Sequence, residues 1–251
     1  MKRNELTTYL DDYLRIGDIK DYGPQGLQLE SDNQEVRRVA LAVDVAPPVI
    51  EAAGAWGADM LLVHHGILWR SVERLAGPLG ERVRRLLRHG INLYAAHLPL
   101  DAHAEVGNNA VLARLLNVKA EAWWCEVMGT KLGVCGPLPE SAPLSQFVQQ
   151  VNEQLHTTAR VLSHGPALVN RVAILSGFGA DEVAAAAALG ADTYVTGETS
   201  HAHYWAAADH HLNVIFAGHY ATETVGVQAL GAHLARHFGL ETRFFDFPTD
   251  M

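Results

Sequence analysis

The stretch Met60-Leu-Leu-Val-His-His-Gly66 carries two adjacent histidines, His64 and His65, directly after four apolar residues. A short apolar run of this kind is typical of a buried β-strand in an α/β protein. Such proteins bind ligands at the carboxyl ends of their strands, and imidazole is a common metal ligand. The stretch therefore predicts a strand that delivers two imidazoles to a metal site.

Two more apolar runs are followed by a histidine and, four residues later, by a carboxylate: His97 with Asp101, and His219 with Glu223. Imidazole and carboxylate together suit Zn²⁺, Mn²⁺, Fe²⁺ or Co²⁺, and the absence of thiolates from the pattern argues against a closed structural zinc site. Neighbouring residues on a strand point to opposite faces, so the histidine pair is predicted to serve two adjacent ions unless the strand end turns. The pattern predicts a dinuclear, catalytic metal centre that Asp101 or Glu223 bridges.

The composition is that of a globular protein of 251 residues, 49% of them hydrophobic, with a formal net charge of −9. This charge argues against a broad phosphate-binding face, so nucleic acid is not an expected partner. No run approaches the roughly 18 apolar residues of a membrane span, and the N-terminus lacks the apolar core of a signal peptide. Cys125 and Cys135 form no CxxC motif, which favours reduced thiols. We expect a cytoplasmic protein that acts on a small-molecule substrate and contacts no membrane.

Strand and helix patterns alternate along most of the chain. The predicted helices cover residues 6–14, 49–56, 80–88 and 144–155, and the predicted strands cover residues 38–43, 60–63, 91–96 and 131–135. This alternation favours an α/β fold with mostly parallel sheets and helices on their faces. Pro99 is predicted to exclude a regular helix from the segment that ends at Asp101.

The second part of the chain repeats the first in degenerate form. Residues 38–59 align without gaps on residues 171–192, at a constant offset of 133, and nine of the 22 pairs are identical. We predict two similar α/β halves, residues 1–121 and 122–251, that share one metal site in the cleft between them. The first half carries His64, His65, His97 and Asp101, and the second carries Glu198, His219 and Glu223.

Some polar residues are open to more than one interpretation. His97 is a candidate metal ligand, proton shuttle or residue that orients a ligand, and Glu198 has either a structural or an orienting role. Arg70 and Arg74, which follow the histidine pair, are interpreted as solvated helix charges. Nine other histidines are predicted to lie on exposed helix faces, at helix ends or in polar loops: His89, His156, His164, His201, His203, His210, His211, His233 and His237.

Five blocks spread over almost the whole chain carry the remaining motifs. They are Asp21-Tyr-Gly-Pro-Gln-Gly-Leu-Gln-Leu29, Val63-His-His-Gly66 with Trp69, His97-Leu-Pro-Leu-Asp-Ala-His103 with Gly107-Asn-Asn109, Thr196-Gly-Glu198 and Gly218-His-Tyr-Ala-Thr-Glu223. These blocks resemble the signature of the NIF-three-like proteins, whose bacterial short form is the YbgI type, also called GTP cyclohydrolase 1 type 2 homologues. The resemblance implies two similar α/β halves and a toroidal homohexamer. It also implies a dinuclear site with the ligands His64, His65, Asp101, His219 and Glu223.

The same resemblance implies an activity, the hydrolytic opening of the guanine imidazole ring of GTP. In that reaction a general acid protonates the departing nitrogen, and His97 is the candidate for this role. The chain has no GxxxxGK[ST] motif for a triphosphate. We therefore predict a divalent-metal-dependent hydrolase of a small, nucleotide-like substrate, with two metal ions per chain. Two other classes stay open: a metal-binding or metal-delivery protein without catalysis, and an interaction scaffold whose ring is the working part.

Overall fold

The computed structural model of the protein describes residues 1–70 and 74–249. Within them the α-helices are α1 (Arg3–Tyr13), α2 (Pro47–Trp56), α3 (Gly77–Arg88), α4 (Leu98–Asp101), α5 (Asn108–Leu115), α6 (Leu144–Leu155), α7 (Val183–Ala188), α8 (Tyr204–Asp209) and α9 (His219–Phe238). The strands are β1 (Gly26–Leu29), β2 (Arg38–Asp44), β3 (Met60–His65), β4 (Asn92–Ala95), β5 (Ala122–Val127), β6 (Thr130–Pro143), β7 (Arg160–Ser163), β8 (Leu168–Leu175), β9 (Thr193–Thr196), β10 (Asn213–Phe216) and β11 (Glu241–Phe244). In this described part of the chain no helix has both the length and the apolarity of a membrane span. The fold is mixed α/β with two sheets.

The first compact unit contains Met1–Val106 together with Gly226–Phe247. Its five-stranded sheet has the order β1-β4-β3-β2-β11, and every neighbouring pair is parallel except β1 with β4. The central strands β2, β3 and β4 are apolar along nearly their whole length and are buried. Continuous apolar strands of this kind belong to parallel sheets that are covered on both faces.

Two hydrophobic clusters cover this sheet. One combines Leu6 and Leu10 of α1 with Leu230 and Leu234 of α9. The other is built on α2 and α3, and α2 ends at Gly57, which has the positive φ of +77° that glycine tolerates. Because the end of α9 packs in the first unit and β11 pairs with β2, the compact units differ from the predicted halves 1–121 and 122–251.

The second compact unit contains Gly107–Val225, and its six-stranded sheet has the order β5-β6-β8-β9-β10-β7. Only the pairs β8–β9 and β9–β10 are parallel within this sheet. β5 and β6 form a hairpin through Met128 and Gly129, both at positive φ, and this tight turn forces an antiparallel return. The prediction of mostly parallel sheets is therefore not confirmed, because the second sheet is mixed.

Local patterns predicted several elements closely. The helix predicted over residues 144–155 is α6, whereas the expectation that Pro99 excludes a helix ending at Asp101 is wrong. Pro99 lies in the first turn of α4. An N–H group at this position has no carbonyl partner within the helix, so proline breaks no helical hydrogen bond there. Arg70 and Arg74 also depart from the prediction, since both precede α3 and do not lie on a helix.

The packing of α9 in the first unit gives a stability prediction. Leu234→Ala should lower the free energy of unfolding by about 2–5 kcal/mol, because it removes a fully buried side chain and leaves a cavity. Urea denaturation followed by circular dichroism measures the change. The matched control is Leu87→Ala, since Leu87 is 48% exposed and should change stability by less than about 0.5 kcal/mol. Equal effects of the two substitutions would contradict the assignment.

Candidate metal centre

His64 and His65 end β3, the middle strand of the first sheet. Parallel register sets His65 opposite Asp44 of β2, while Val63 lies opposite Ala95 of β4. His64 is fully buried and His65 is partly exposed. The sheet register therefore decides which groups can reach each imidazole.

The His64 ring is fixed by a backbone carbonyl. Its Nδ1 lies 3.0 Å from the carbonyl oxygen of Ala96, the residue after β4. A carbonyl oxygen can only accept, so Nδ1 carries the proton of the neutral ring, and Nε2 is the atom that could coordinate a metal. This Nε2 lies 3.7 Å from a carboxylate oxygen of Asp101, which is itself buried at the end of α4.

The His65 ring is fixed by a carboxylate that the sequence analysis did not single out. Nδ1 of His65 lies 2.9 Å from Oδ1 of Asp44. Asp44 is the last residue of β2, so the rule that singled out the histidines, a polar residue at the end of an apolar strand, also applies to it. A carboxylate in this position holds the ring in one orientation.

The His97 ring is held by the loop that precedes β1. Nδ1 of His97 lies 2.8 Å from Oδ1 of Asp21, and Oδ2 of the same carboxylate accepts a hydrogen bond of 2.8 Å from the Leu98 amide. The side-chain oxygen of Gln25 accepts another from the amide of His97. Both the ring and the backbone of His97 are therefore positioned by one short loop.

These side chains converge within the first unit. One ring nitrogen from each of His64, His65 and His97 lies within 4.8 Å of the other two, a spacing at which the group could hold a metal ion. The centroids of the His64 and His65 rings are 4.8 Å apart, so the two imidazoles approach each other although they are strand neighbours. The structure thus brings three predicted histidines together with Asp101.

The second unit presents one imidazole between two carboxylates. His219 and Glu223 lie one turn apart on α9, and Nε2 of His219 is 3.1 Å from Oε1 of Glu223. Nδ1 of the same ring is 2.9 Å from Oε1 of Glu198, which follows β9. Glu198 therefore holds the ring in the way that Asp44 holds His65, in agreement with the orienting role considered for it.

The negative charge of Glu198 and Glu223 changes the pKa of His219. Burial lowers that pKa, but hydrogen bonds and charge interactions with Glu223 and then Glu198 outweigh it and raise the pKa to about 9. Two carboxylates that favour an extra proton on one imidazole form a region of negative charge. The same charge favours a divalent cation.

Gly177, which sequence reasoning missed, leaves room for this pair. An added Cβ would lie 2.4 Å from Oε1 of Glu223 and 3.3 Å from Nε2 of His219, and Gly177 has a φ of +66°. Its amide donates to Oγ1 of Thr222 at 3.0 Å. Only glycine satisfies both the backbone conformation and the close approach.

Most of the remaining histidines lie as predicted, but His233 does not. His89, His156, His210 and His211 are exposed, whereas His203 is partly buried and lies 2.6 Å from Asp181. His233 stacks on Tyr13 at 4.3 Å between ring centroids, and its Nε2 lies 2.6 Å from the Tyr9 hydroxyl. Burial and the neighbouring His237 lower the pKa of His233, so it is part of an aromatic cluster and not a solvated group.

The donor set suits a divalent metal. His64, His65, His97 and His219 each have Nδ1 within 3.0 Å of a carbonyl or carboxylate oxygen. This arrangement fixes the tautomer in which Nε2 is the coordinating atom, and it is the usual environment of metal-binding histidines. With the carboxylates of Asp101 and Glu223, the residues fit a metal with nitrogen and oxygen ligands.

Comparisons with known proteins agree with the motifs. The family model described as Duf34/NIF3 (NGG1p interacting factor 3) matches residues 1–250. A Deinococcus radiodurans protein named GTP cyclohydrolase 1 type 2 homolog is 42% identical over 99% of this chain and 94% of its own. A solved structure of protein ybgI, described as of unknown function, has a TM-score of 0.94 at 34% identity, and TTHA1606 from Thermus thermophilus has 0.91 at 41%; both alignments cover 100% of each chain.

The contact between Asp44 and His65 gives a prediction about metal affinity. Asp44→Ala should weaken the binding of Zn²⁺ or Mn²⁺ about 10- to 100-fold, because the His65 ring loses the group that orients it. Competition with a chromophoric chelator measures the affinity. Glu51→Ala is the matched control, since Glu51 also bonds a histidine, His89, outside the cluster. Unchanged affinity in Asp44→Ala would show that Asp44 has no orienting role.

Proposed function

Because the chain belongs to the Duf34/NIF3 family, we propose that it is a hydrolase that depends on two divalent metal ions and acts on a small, nucleotide-like substrate. The observation that carries this proposal is the oxygen partner at Nδ1 of His64, His65, His97 and His219. Burial of an imidazole costs free energy unless its polar atoms have partners. A group of buried and partly buried histidines with Nε2 oriented for coordination therefore indicates a metal-binding role.

The proposed ligands are His64, His65, Asp101, His219 and Glu223. These side chains suit Zn²⁺, Mn²⁺, Fe²⁺ or Co²⁺, and nothing in the donor set selects among them. A pair of such ions supplies Lewis acidity that activates water and stabilises developing negative charge. Glu223 and Asp101 are the candidates for a bridging ligand.

From the duplication in the sequence we infer that the proposed ligands of the halves 1–121 and 122–251 serve one centre in the cleft between these halves. Each unit alone offers the proposed metal too few ligands for two ions, since the second contributes only His219 and Glu223. A joint centre is the arrangement that a duplicated fold provides, because its matching strand ends carry the ligands in both copies.

The internal duplication is supported by matching hydrogen bonds inside each unit. Oδ2 of Asp59 accepts from the amides of Arg37 and Arg38, and Oδ2 of Asp192 accepts from the amides of Asn170 and Arg171. The strand registers also correspond at the offset of 133, since Val39 is opposite Met60 and Val172 is opposite Thr193. Chance similarity in alanine-rich helices would not produce these matches.

His97 is proposed as the general acid. Asp21 accepts the Nδ1–H of His97 and fixes the orientation of the ring, and Nε2 is the atom that would donate a proton to a departing nitrogen. The most specific form of the proposal is hydrolytic opening of a guanine imidazole ring, which the name of the Deinococcus relative supports.

The setting of the reaction is also a proposal. The resemblance to the YbgI type supports a toroidal homohexamer. Cys125 and Cys135 form no CxxC motif or disulfide framework in the sequence, a pattern that supports a reducing, cytoplasmic compartment. A small-molecule substrate fits an acidic chain with a formal charge of −9 better than nucleic acid does.

Removal of the histidine pair tests the metal site. Tag-free wild-type protein should contain about two ions per chain by elemental analysis, and His64→Ala/His65→Ala should lose both the metal and nucleotide hydrolysis. The matched control is His210→Ala/His211→Ala, an adjacent pair that is exposed and should keep both. Stoichiometric metal without turnover of any nucleotide would favour metal binding or delivery, and wild-type protein without metal would disprove the site.

Substitution of His97 separates its possible roles. His97→Gln should lower turnover by roughly 10²- to 10⁴-fold and leave the metal content unchanged, because the proposed acid is lost while the proposed ligands remain. Single-turnover kinetics and elemental analysis provide the two measurements. His89→Gln, which also removes a histidine bonded to a carboxylate, serves as the control. Loss of metal in His97→Gln would make His97 a ligand.

A further inference from the structure

Two aromatic side chains lie close to the His97 ring. The Trp69 ring stands nearly perpendicular to it, at 87° and 5.3 Å between centroids. The Tyr22 ring is tilted by 52° at 6.1 Å, and Tyr22 is 43% exposed. Trp69 also lies 6.2 Å from the His65 ring. An aromatic surface that is partly open to solvent therefore borders the imidazole cluster.

The loops that carry these rings are fixed to each other. The side-chain oxygen of Gln28 accepts hydrogen bonds from the amides of Ile67 and Leu68, at 2.8 and 3.3 Å. A Cβ added to Gly23 would lie 2.2 Å from the carbonyl oxygen of Leu68, so the two loops are in close backbone contact. Rings held in this way lose little conformational entropy when they bind a ligand.

A guanidinium lies beside the same aromatic pair. The amide of Arg70 donates to the carbonyl oxygen of Tyr22 at 3.0 Å, and Cζ of Arg70 is 5.5 Å from the centroid of the Tyr22 ring. Stacking on the ring orients the guanidinium, and arginine recognises phosphate through its planar set of donors. Arg70 thus provides a cationic group beside the Tyr22 ring in a chain with a formal charge of −9.

We propose that Tyr22, Trp69 and Arg70 form a subsite for a nucleoside monophosphate, with the base on the two rings and the phosphate at Arg70. This inference rests on the proposed function and names the class of its substrate. Nucleobases stack on aromatic side chains irrespective of sequence, and a base held beside Trp69 lies next to His97, the proposed proton donor. An apolar substrate has no anionic group for Arg70 to bind, and a simple sugar phosphate has no base to stack on the rings.

The test measures binding and not turnover. Isothermal titration of the metal-loaded protein compares guanosine 5′-monophosphate, guanosine and ribose 5-phosphate. Trp69→Leu should weaken binding of the monophosphate and of guanosine by roughly 5- to 150-fold, the effect of losing one stacking partner, and leave ribose 5-phosphate unchanged. Tyr22→Leu should weaken binding of all three probes, because the Tyr22 ring also orients Arg70. Trp69→Phe should restore most of the affinity. Arg70→Ala should weaken the two phosphates and spare guanosine.

Controls separate this proposal from a packing role and from the proposed function. Trp205→Leu, at a tryptophan that is 64% exposed, should bind all three probes like wild type, and elemental analysis should find unchanged metal in every variant. Monophosphate binding that Trp69→Leu leaves unaltered, or wild-type protein that binds ribose 5-phosphate as tightly as the monophosphate, would overturn the subsite. Affinities that change as expected in a protein without turnover would support the subsite and contradict the hydrolase proposal. Turnover in a protein whose variants keep wild-type affinities would support the hydrolase proposal and contradict the subsite.

Discussion

The arrangement of the site depends on one interaction, a hydrogen bond from Nδ1–H of an imidazole to a protein oxygen. It occurs at His64, His65, His97 and His219, with a different partner in each case. The bond costs little where strands already place an oxygen nearby, and it removes the tautomer that could not coordinate through Nε2. Without this hydrogen bond, a buried imidazole could rotate and change tautomer. The Nε2 atoms of the cluster would then not be held at a spacing that suits a metal ion.

Sheet register supplies these oxygens. Asp44 reaches His65 because β2 and β3 are parallel and the two residues lie opposite each other. The carbonyl of Ala96 reaches His64 because β4 flanks β3 on the other side. The apolar residues that bury these strands therefore also set the chemistry at their ends, and a register shift of one residue would turn both side chains away. Core packing and site geometry are one constraint here.

The histidines of the candidate site could be predicted from the sequence more readily than the residues that hold them. An apolar run followed by histidine is a local signal, and it identified His64 and His65. Asp21 and Gln28 act through contacts of 76 and 39 residues in separation, which no local pattern encodes. The packing of the end of α9 against α1 is non-local in the same way. The interpretation of Pro99 was wrong because position within a helix, and not residue type alone, decides what proline permits.

The proposed duplication gives this hydrogen bond a further meaning. At the offset of 133, Glu198 occupies the position of His65, and at the offset of 122, His219 occupies the position of His97. In the first unit Asp21 holds His97, whereas in the second Glu198 holds His219. The copies therefore keep an imidazole whose Nδ1 is bound to a carboxylate, but they take the carboxylate from unrelated parts of the chain. The shared feature prepares a histidine to coordinate a metal or to transfer a proton through Nε2.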